Sequence, residues 1–216
     1  MFSVKLVLRF RELCVWVWRL LAIHLLWTFT VVLGLGVFTL GPATVAMFSV
    51  IRQWLMGNES IKIVKSYVSY VKENFLKNTG MGIVSLLMGA ILYTDIYFNK
   101  NFYTLVFFLV IGLVYLGVMF FLYPIAAHFT WRNTWERMRF ALLYFFSFFP
   151  YATFGIIAVI AYFVAVFYIF PIMFPMFGFA IPTLIIMFIS MKAFKKAELR
   201  NEVEWKLEHQ HGVEVK

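Results

Sequence analysis

The sequence has very little of the chemistry on which most enzymes depend. It contains one cysteine, Cys14, so it can form no internal disulfide and offers no cysteine spacing for a metal or a redox pair. Acidic residues number only 10 among 216. A GxSxG elbow, a Walker lysine motif, an HExxH metal motif and paired intramembrane aspartates are all missing from it. We therefore interpret the chain as non-enzymatic and expect no catalytic, cofactor-binding or metal site.

Charged residues of either sign are scarce, and apolar residues take their place. Charged residues make up 13% of the chain, hydrophobic ones 63% and aromatic ones 21%, and the mean hydropathy is +0.88. Soluble domains are about one quarter charged and about half apolar. A soluble core formed by a chain of this length could not hide so much apolar surface from water. The composition therefore predicts an all-α, polytopic transmembrane bundle that is solvated by lipid.

Long uncharged stretches place the predicted spans. A helix needs about 20 apolar residues to cross about 30 Å of hydrocarbon, so the stretch 140–191 is too long for one crossing. We expect it to turn at Pro171 and Pro175, because proline interrupts a helix. The first apolar run is too long for a cleaved signal peptide, and we expect it to be retained. The predicted spans, about five in all, are residues 20–40, 79–98, 102–123, 151–169 and 177–194 of a single membrane domain over 1–216, with a charged tail over 195–216.

Two further helices are predicted at the cytoplasmic face or the interface. The pair Gly41-Pro42 is expected to end the first span and to start a new helix over residues 42–56, which is apolar almost all round. Residues 134–148 carry charges on one side and aromatic and aliphatic residues on the other, which predicts an amphipathic helix lying at the surface.

A third helix of this kind is predicted over residues 60–77. Apolar residues recur at helical spacing along one of its faces, and lysines line another. The apolar positions are Val64, Val68, Val71 and Phe75.

The distribution of basic residues predicts the orientation. The chain has 19 Lys+Arg, grouped in short clusters between apolar runs, which suits membrane topology and anionic lipid better than nucleic acid. Alternation of basic-rich and basic-poor connections places the C-terminus in the cytoplasm. Five spans would then leave the N-terminus outside although it carries Arg9 and Arg11. We favour a full first span; the alternative is a re-entrant hairpin that bends at Gly34 and Gly36.

Three ionisable residues fall near predicted membrane depth and are candidates for a functional role, since such residues are unfavourable in lipid. They are His24, Asp95 and His128. A solvated cap is the simpler interpretation for Asp95, and a carbonyl-bonded neutral imidazole is the simpler one for the two histidines.

Three short motifs in the first third of the chain carry a resemblance. They read Gly41-Pro42-Ala43-Thr44, then Arg52-Gln53-Trp54-Leu55-Met56-Gly57, then Lys72-Glu73-Asn74-Phe75. In order and spacing they resemble the YesL-like family of small bacterial membrane proteins, a domain of unknown function. The resemblance implies about five spans, a place in the bacterial plasma membrane, and genes beside carbohydrate-uptake ABC transporters and two-component regulators.

The resemblance therefore suggests an accessory or regulatory component associated with carbohydrate ABC import, with a stand-alone small-solute transporter or channel as the alternative. Expected partners are the lipid bilayer, ABC permease or sensor kinase subunits and further copies of the chain. The predicted docking surface for a partner or lipid consists of Gly41, Pro42, Arg52, Trp54, Gly57, Lys65, Lys72 and Glu73. The simpler interpretation is that these helices only cap the bundle.

Overall fold

The computed structural model describes residues 2–129 and 133–211, and within them the regular structure is entirely helical, without a strand. The predicted all-α architecture is confirmed. The helices, in chain order, are α1 (Phe2–Leu33), α2 (Val37–Leu55), α3 (Ile63–Lys72), α4 (Phe75–Phe98), α5 (Phe102–His128), α6 (Thr134–Ser147), α7 (Phe149–Tyr168), α8 (Met173–Phe177) and α9 (Ala180–His211).

Four stretches of helix in the described part of the chain are long and apolar enough to cross a membrane. They are Arg9–Leu33 in α1, Phe75–Phe98, Phe102–His128 and Phe149–Tyr168. Large apolar side chains are exposed along them, which would be unfavourable in water by about 25 cal/mol per Å² and is natural in lipid. The predicted spans 79–98, 102–123 and 151–169 fall within α4, α5 and α7.

The predicted span 177–194 begins at the last residue of α8 and covers the first half of α9, and α9 is not among these four stretches. Its uncharged part in α9 ends at Met191, before Lys192, and is shorter than the roughly 20 residues that a full crossing needs. A fifth crossing therefore stays a prediction.

The first helical break lies earlier than predicted. A turn over residues 34–36 separates α1 from α2, with Leu35 at φ 58° and Gly36 at φ 70°. Glycine adopts positive φ without steric penalty, which explains why the chain reverses here. The prediction that the first span continues to residue 40 is wrong, and the bend lies between the two glycines that the hairpin alternative named.

Pro42 lies inside α2 and does not begin a helix. A proline within a helix has no N–H for the carbonyl four residues earlier, here that of Phe38. In this fold the Thr79 hydroxyl, from α4, donates to the Phe38 carbonyl oxygen at 3.0 Å. A neighbouring helix thus supplies the missing donor, and α2 continues through the proline.

The α2 helix is the centre of the molecule and not an interfacial helix. It packs against α1, α3, α4, α5 and α9, and it is buried almost continuously from Gly41 to Ile51. A helix that is apolar all round needs burial on every side, which a surface position cannot supply. The predicted surface position of residues 42–56 is therefore wrong.

Two glycines bring α2 and α4 into close contact. A Cβ built on Gly41 would lie 2.1 Å from the Asn78 carbonyl oxygen, and one built on Gly82 would lie 2.8 Å from the Gly41 Cα. Small residues at such a crossing let two helix backbones approach and gain packing contacts that lipid cannot offer.

The predicted helix over residues 60–77 is divided. The α3 helix ends at Lys72, and Asn74 takes the left-handed conformation at φ 52° before α4 begins at Phe75. Asparagine is one of the few residues that adopt this conformation readily. Phe75 thus belongs to the second span.

The face of α3 that packs inwards also differs from the prediction. Tyr67 is buried and Ile63, Tyr70 and Val71 pack beside it, whereas Val64 is 61% and Val68 42% exposed. Two of these inward-facing residues are tyrosines, Tyr67 buried and Tyr70 half-buried, and their aromatic rings add apolar surface to the core.

The predicted surface helix over residues 134–148 matches α6, with one correction. Arg137, Ala141 and Phe145 recur at helical spacing and are buried, with the Phe145 ring seated against Gly117 of α5. Arg139 is exposed. The predicted separation of all charges from the apolar face is therefore wrong for Arg137. The tail continues α9 to His211, and residues 212–216 lie outside the described residues.

Candidate functional site

The structure divides the eight predicted docking residues into buried and exposed groups. Gly41, Pro42 and Trp54 are buried in α2, so they cannot contact a partner, and their assignment to a docking surface is wrong. Arg52 is half-buried. The exposed members are Gly57, Lys65, Lys72 and Glu73.

Arg52 joins α2 to the end of α5. Its Nη1 donates to the Ala127 carbonyl oxygen and, at 3.3 Å, to that of His128. Carbonyls in the last turn of a helix have no partner within the helix and carry partial negative charge, so a guanidinium there stabilises the helix end. This geometry gives Arg52 a structural role.

Trp54 belongs to a cluster that attaches α1 to the loop after α2. Its ring is 2% exposed and meets the Trp16 ring edge-on, with 6.1 Å between the centroids. The guanidinium of Arg19 lies 5.7 Å and 5.9 Å from the centroids of these two rings. Its Nη1 also forms an ion pair with the Glu59 carboxylate at 3.1 Å. Sequence reasoning missed this cluster because its members are far apart along the chain.

The exposed face of α3, which we call the α3 face, consists of Val64, Lys65, Val68, Lys72 and the adjoining Glu73. It combines apolar and basic side chains on one rigid element. Such a surface suits a partner that offers both apolar contact and negative charge.

Two contacts hold α3 in place beneath this face. The Gln53 amide donates to the Tyr70 hydroxyl at 3.3 Å, and the Tyr67 side chain lies fully within the core. Burial raises the pKa of Tyr67 to about 12, since desolvation disfavours the phenolate.

A buried arginine joins α6 to α4. Arg137 is 2% exposed, and its Nη1 donates to Asn78 Oδ1 at 2.7 Å, while Asn78 Nδ2 donates to the Glu73 carbonyl oxygen at 3.2 Å. Burial lowers the pKa of the Arg137 guanidinium, and the charge of Glu73 opposes that shift. Its spacing from Ala141 and Phe145 is the sequence signal that could have identified it as inward-facing.

The three intramembrane candidates do not converge on one site. His24 is buried in α1 with its ring stacked 6.2 Å from Trp27 and 6.3 Å from Phe179. His128 ends α5, and its ring lies 5.1 Å from that of Phe194. Asp95 is half-buried in the last turns of α4. Among the residues that the structure describes, no three His, Cys, Asp or Glu side chains form a group that could hold a metal ion.

Two of the larger cavities have apolar walls. One, of about 610 Å³, is a groove between α4, α5 and α6, and we call it the α4–α6 groove. The other, of about 560 Å³, lies between α4, α5 and α7. The apolar walls of these two cavities suit hydrocarbon better than a polar solute. A third cavity, of about 840 Å³, is an open cleft lined by charged residues of α1 and by Glu59.

Comparison with known proteins finds one family model that matches part of the chain. Residues 20–96 match the family model described as "Protein of unknown function, DUF624". The match therefore includes the second half of α1, all of α2 and α3, and nearly all of α4, and with them the close contact of Gly41 with Asn78.

Three proteins of Bacillus subtilis (strain 168), each described as uncharacterized, are similar to the chain. YteU is 32% identical over 146 residues, which is 65% of this chain and 64% of YteU, so this match covers less than two thirds of that protein. YesL is 28% identical over 195 residues, 88% of this chain and 92% of YesL. YesV is 26% identical over 182 residues, 82% of this chain and 86% of YesV. No solved structure matches the chain significantly. The resemblance of this helical, membrane-type chain to the YesL-like family of unknown function is thus confirmed.

Proposed function

We propose that the protein is a non-enzymatic accessory or regulatory component of the bacterial plasma membrane, with its C-terminus in the cytoplasm, that associates with carbohydrate ABC import and docks its partner on the α3 face. The observation that carries the docking surface is the exposure of Lys65, Val68 and Lys72 on a helix that is anchored from beneath by Tyr67. The resemblance to the YesL-like family is what supports the carbohydrate association.

The packing of α3 against the core through Tyr67 favours a docking role. A surface that is already ordered loses little conformational freedom when a partner binds, so more of the contact energy appears as affinity. Exposed apolar side chains beside lysines match an amphipathic helix with an acidic edge, such as a coupling helix of a permease subunit.

The polar groups of the interior support a non-enzymatic function. The buried guanidinium and amide groups bond across helix junctions, as Arg137 does with Asn78, instead of facing a common cavity. General acid–base or nucleophilic chemistry needs two or more such groups in reach of one substrate atom.

Co-purification with a matched pair of lysine variants tests the proposal. The wild-type chain, crosslinked in its native membrane and purified in mild detergent, should recover carbohydrate ABC permease subunits identified by mass spectrometry. Lys65→Glu reverses a charge on the α3 face and should reduce that recovery at least fivefold. Lys100→Glu reverses an exposed charge in the α4–α5 loop and should leave it unchanged.

Two outcomes contradict the proposal. One is a wild-type sample that contains no permease subunit, and the other is equal recovery by the two lysine variants. Sugar flux through liposomes that contain only the purified protein, without ATP, would favour the alternative of a stand-alone transporter.

A further inference from the structure

The α4–α6 groove differs from the other apolar surfaces because its two ends carry opposite charges. Arg139 and Trp135 of α6 and Asp95 of α4 are among its lining residues, and the positions of α4 and α6 place them towards opposite ends. Between them the walls are apolar side chains of α4 and α5, such as Ile91 and Val118.

The ends of the groove are well separated. Arg137, two positions before Arg139, is bonded to Asn78 near the start of α4, whereas Asp95 lies near the end of that helix. At about 1.5 Å per residue, roughly 25 Å of helix separates Asn78 from Asp95. The walls of the groove itself run over residues 88–95 of α4 and 108–119 of α5, at most about 17 Å at that rise, so they match about one leaflet of hydrocarbon, which is about 15 Å thick.

This arrangement matches one kind of ligand. An exposed arginine beside an exposed tryptophan is typical of the level of lipid headgroups, where a guanidinium binds phosphate oxygens and an indole lies at the interface. The apolar walls are complementary to an acyl chain, and the carboxylate of Asp95 repels an anionic headgroup at the opposite end. A zwitterionic lipid would gain less at Arg139, because its cationic group offsets the charge of its phosphate.

We propose that the α4–α6 groove binds an anionic diacyl phospholipid, with its phosphate at Arg139 and an acyl chain along α4 and α5. This inference goes beyond the proposed function and does not depend on it, since the α3 face takes no part in the groove. The lipid fills the angle between α4, α5 and α6 and stabilises the junction that Arg137 and Asn78 form.

Native mass spectrometry of the purified protein with phosphatidylglycerol or phosphatidylcholine of the same acyl chains tests the headgroup contact. The wild type should bind phosphatidylglycerol about tenfold more tightly than phosphatidylcholine, as a charge-assisted contact implies. Arg139→Gln should reduce the preference to near parity, and Arg139→Lys should keep most of it. Lys100→Gln, which removes the same charge from an exposed site outside the groove, should keep it fully.

A second pair of variants tests the acyl-chain contact. Ile91 lines the groove and Leu87 does not, yet both lie on α4 and are 59% and 58% exposed. Ile91→Trp should fill the groove and weaken binding of both lipids several-fold, and Leu87→Trp should leave it unchanged. If Arg139→Gln does not elute from a sizing column as a single species, this pair of variants still tests whether a lipid binds in the α4–α6 groove.

Three results would overturn the proposal. They are equal binding of the two lipids by the wild type, an unchanged preference in Arg139→Gln, and equal effects of Ile91→Trp and Leu87→Trp.

Discussion

The crossing of α2 and α4 offers the sharpest test of the architecture. Replacing Gly41 by alanine adds one methyl group at a position where it would lie 2.1 Å from the Asn78 carbonyl oxygen. That oxygen belongs to the backbone of another helix, so no side-chain rotation can relieve the overlap. The two helices must separate, and the core cluster to which Val45 and Met81 belong is disturbed with them.

The expected loss of stability in Gly41→Ala is that of adding a methyl group to an interior that has no room for it. Such substitutions reduce the free energy of unfolding by about 1–3 kcal/mol. For a chain of this size, 1 kcal/mol corresponds to about 2–4 °C in Tm, so Gly41→Ala should lower Tm by roughly 2–12 °C. Thermal unfolding in a fixed detergent, followed by tryptophan fluorescence, measures the shift.

Gly80 provides a matched control within α4. A Cβ at this position meets nothing within 4 Å, and the helix gains about 0.5–1 kcal/mol when alanine replaces glycine. Gly80→Ala should therefore raise Tm slightly. If Gly41→Ala raised Tm as Gly80→Ala does, the close crossing of α2 and α4 would be refuted, and with it the central position of α2.

Three further predictions concern single polar side chains. Thr79→Val should lower the free energy of unfolding by about 1–3 kcal/mol, because the Phe38 carbonyl loses its hydrogen-bond donor. An unchanged unfolding midpoint in an SDS titration would show that the Thr79 hydroxyl is not the donor that replaces the missing N–H of Pro42. In the same titration, Asn78→Leu should destabilise the protein more than Arg137→Met does. The first variant leaves the buried Arg137 guanidinium without its hydrogen-bond acceptor, whereas the second leaves only the neutral amide of Asn78 without its donor. The pKa of Tyr67 is raised to about 12, against 10 in the unfolded chain, so it adds stability below pH 10 that is lost as pH rises towards 12. Between these pH values the free energy of unfolding of the wild type should therefore fall by about 2–3 kcal/mol more than that of Tyr67→Phe. Parallel profiles of Tm against pH for the two proteins would contradict this prediction.

Much of the fold was predictable because it depends on local composition. Uncharged runs of sufficient length predicted helices at the positions of α4, α5 and α7. The same property placed the chain among membrane proteins, since no internal core could cover so much apolar surface.

The candidate site was less predictable because its side chains are governed by contacts between distant segments. Arg52 and Trp54 have the residue types of a docking surface, yet one binds α5 carbonyls and the other is covered by Trp16 and Arg19. Lys65 and Lys72 remained exposed because α3 turns its tyrosines inwards.

The amino-acid sequence by itself determined that this chain is helical and apolar enough to enter a bilayer, because helix formation and transfer into hydrocarbon depend on residues taken segment by segment. Only the tertiary structure decided that α2 continues through Pro42 and that this helix occupies the centre. Pro42 would end a helix in isolation, but a hydroxyl from α4 replaces the missing donor. That compensation depends on an atom brought near by packing, and no local pattern around Pro42 records it.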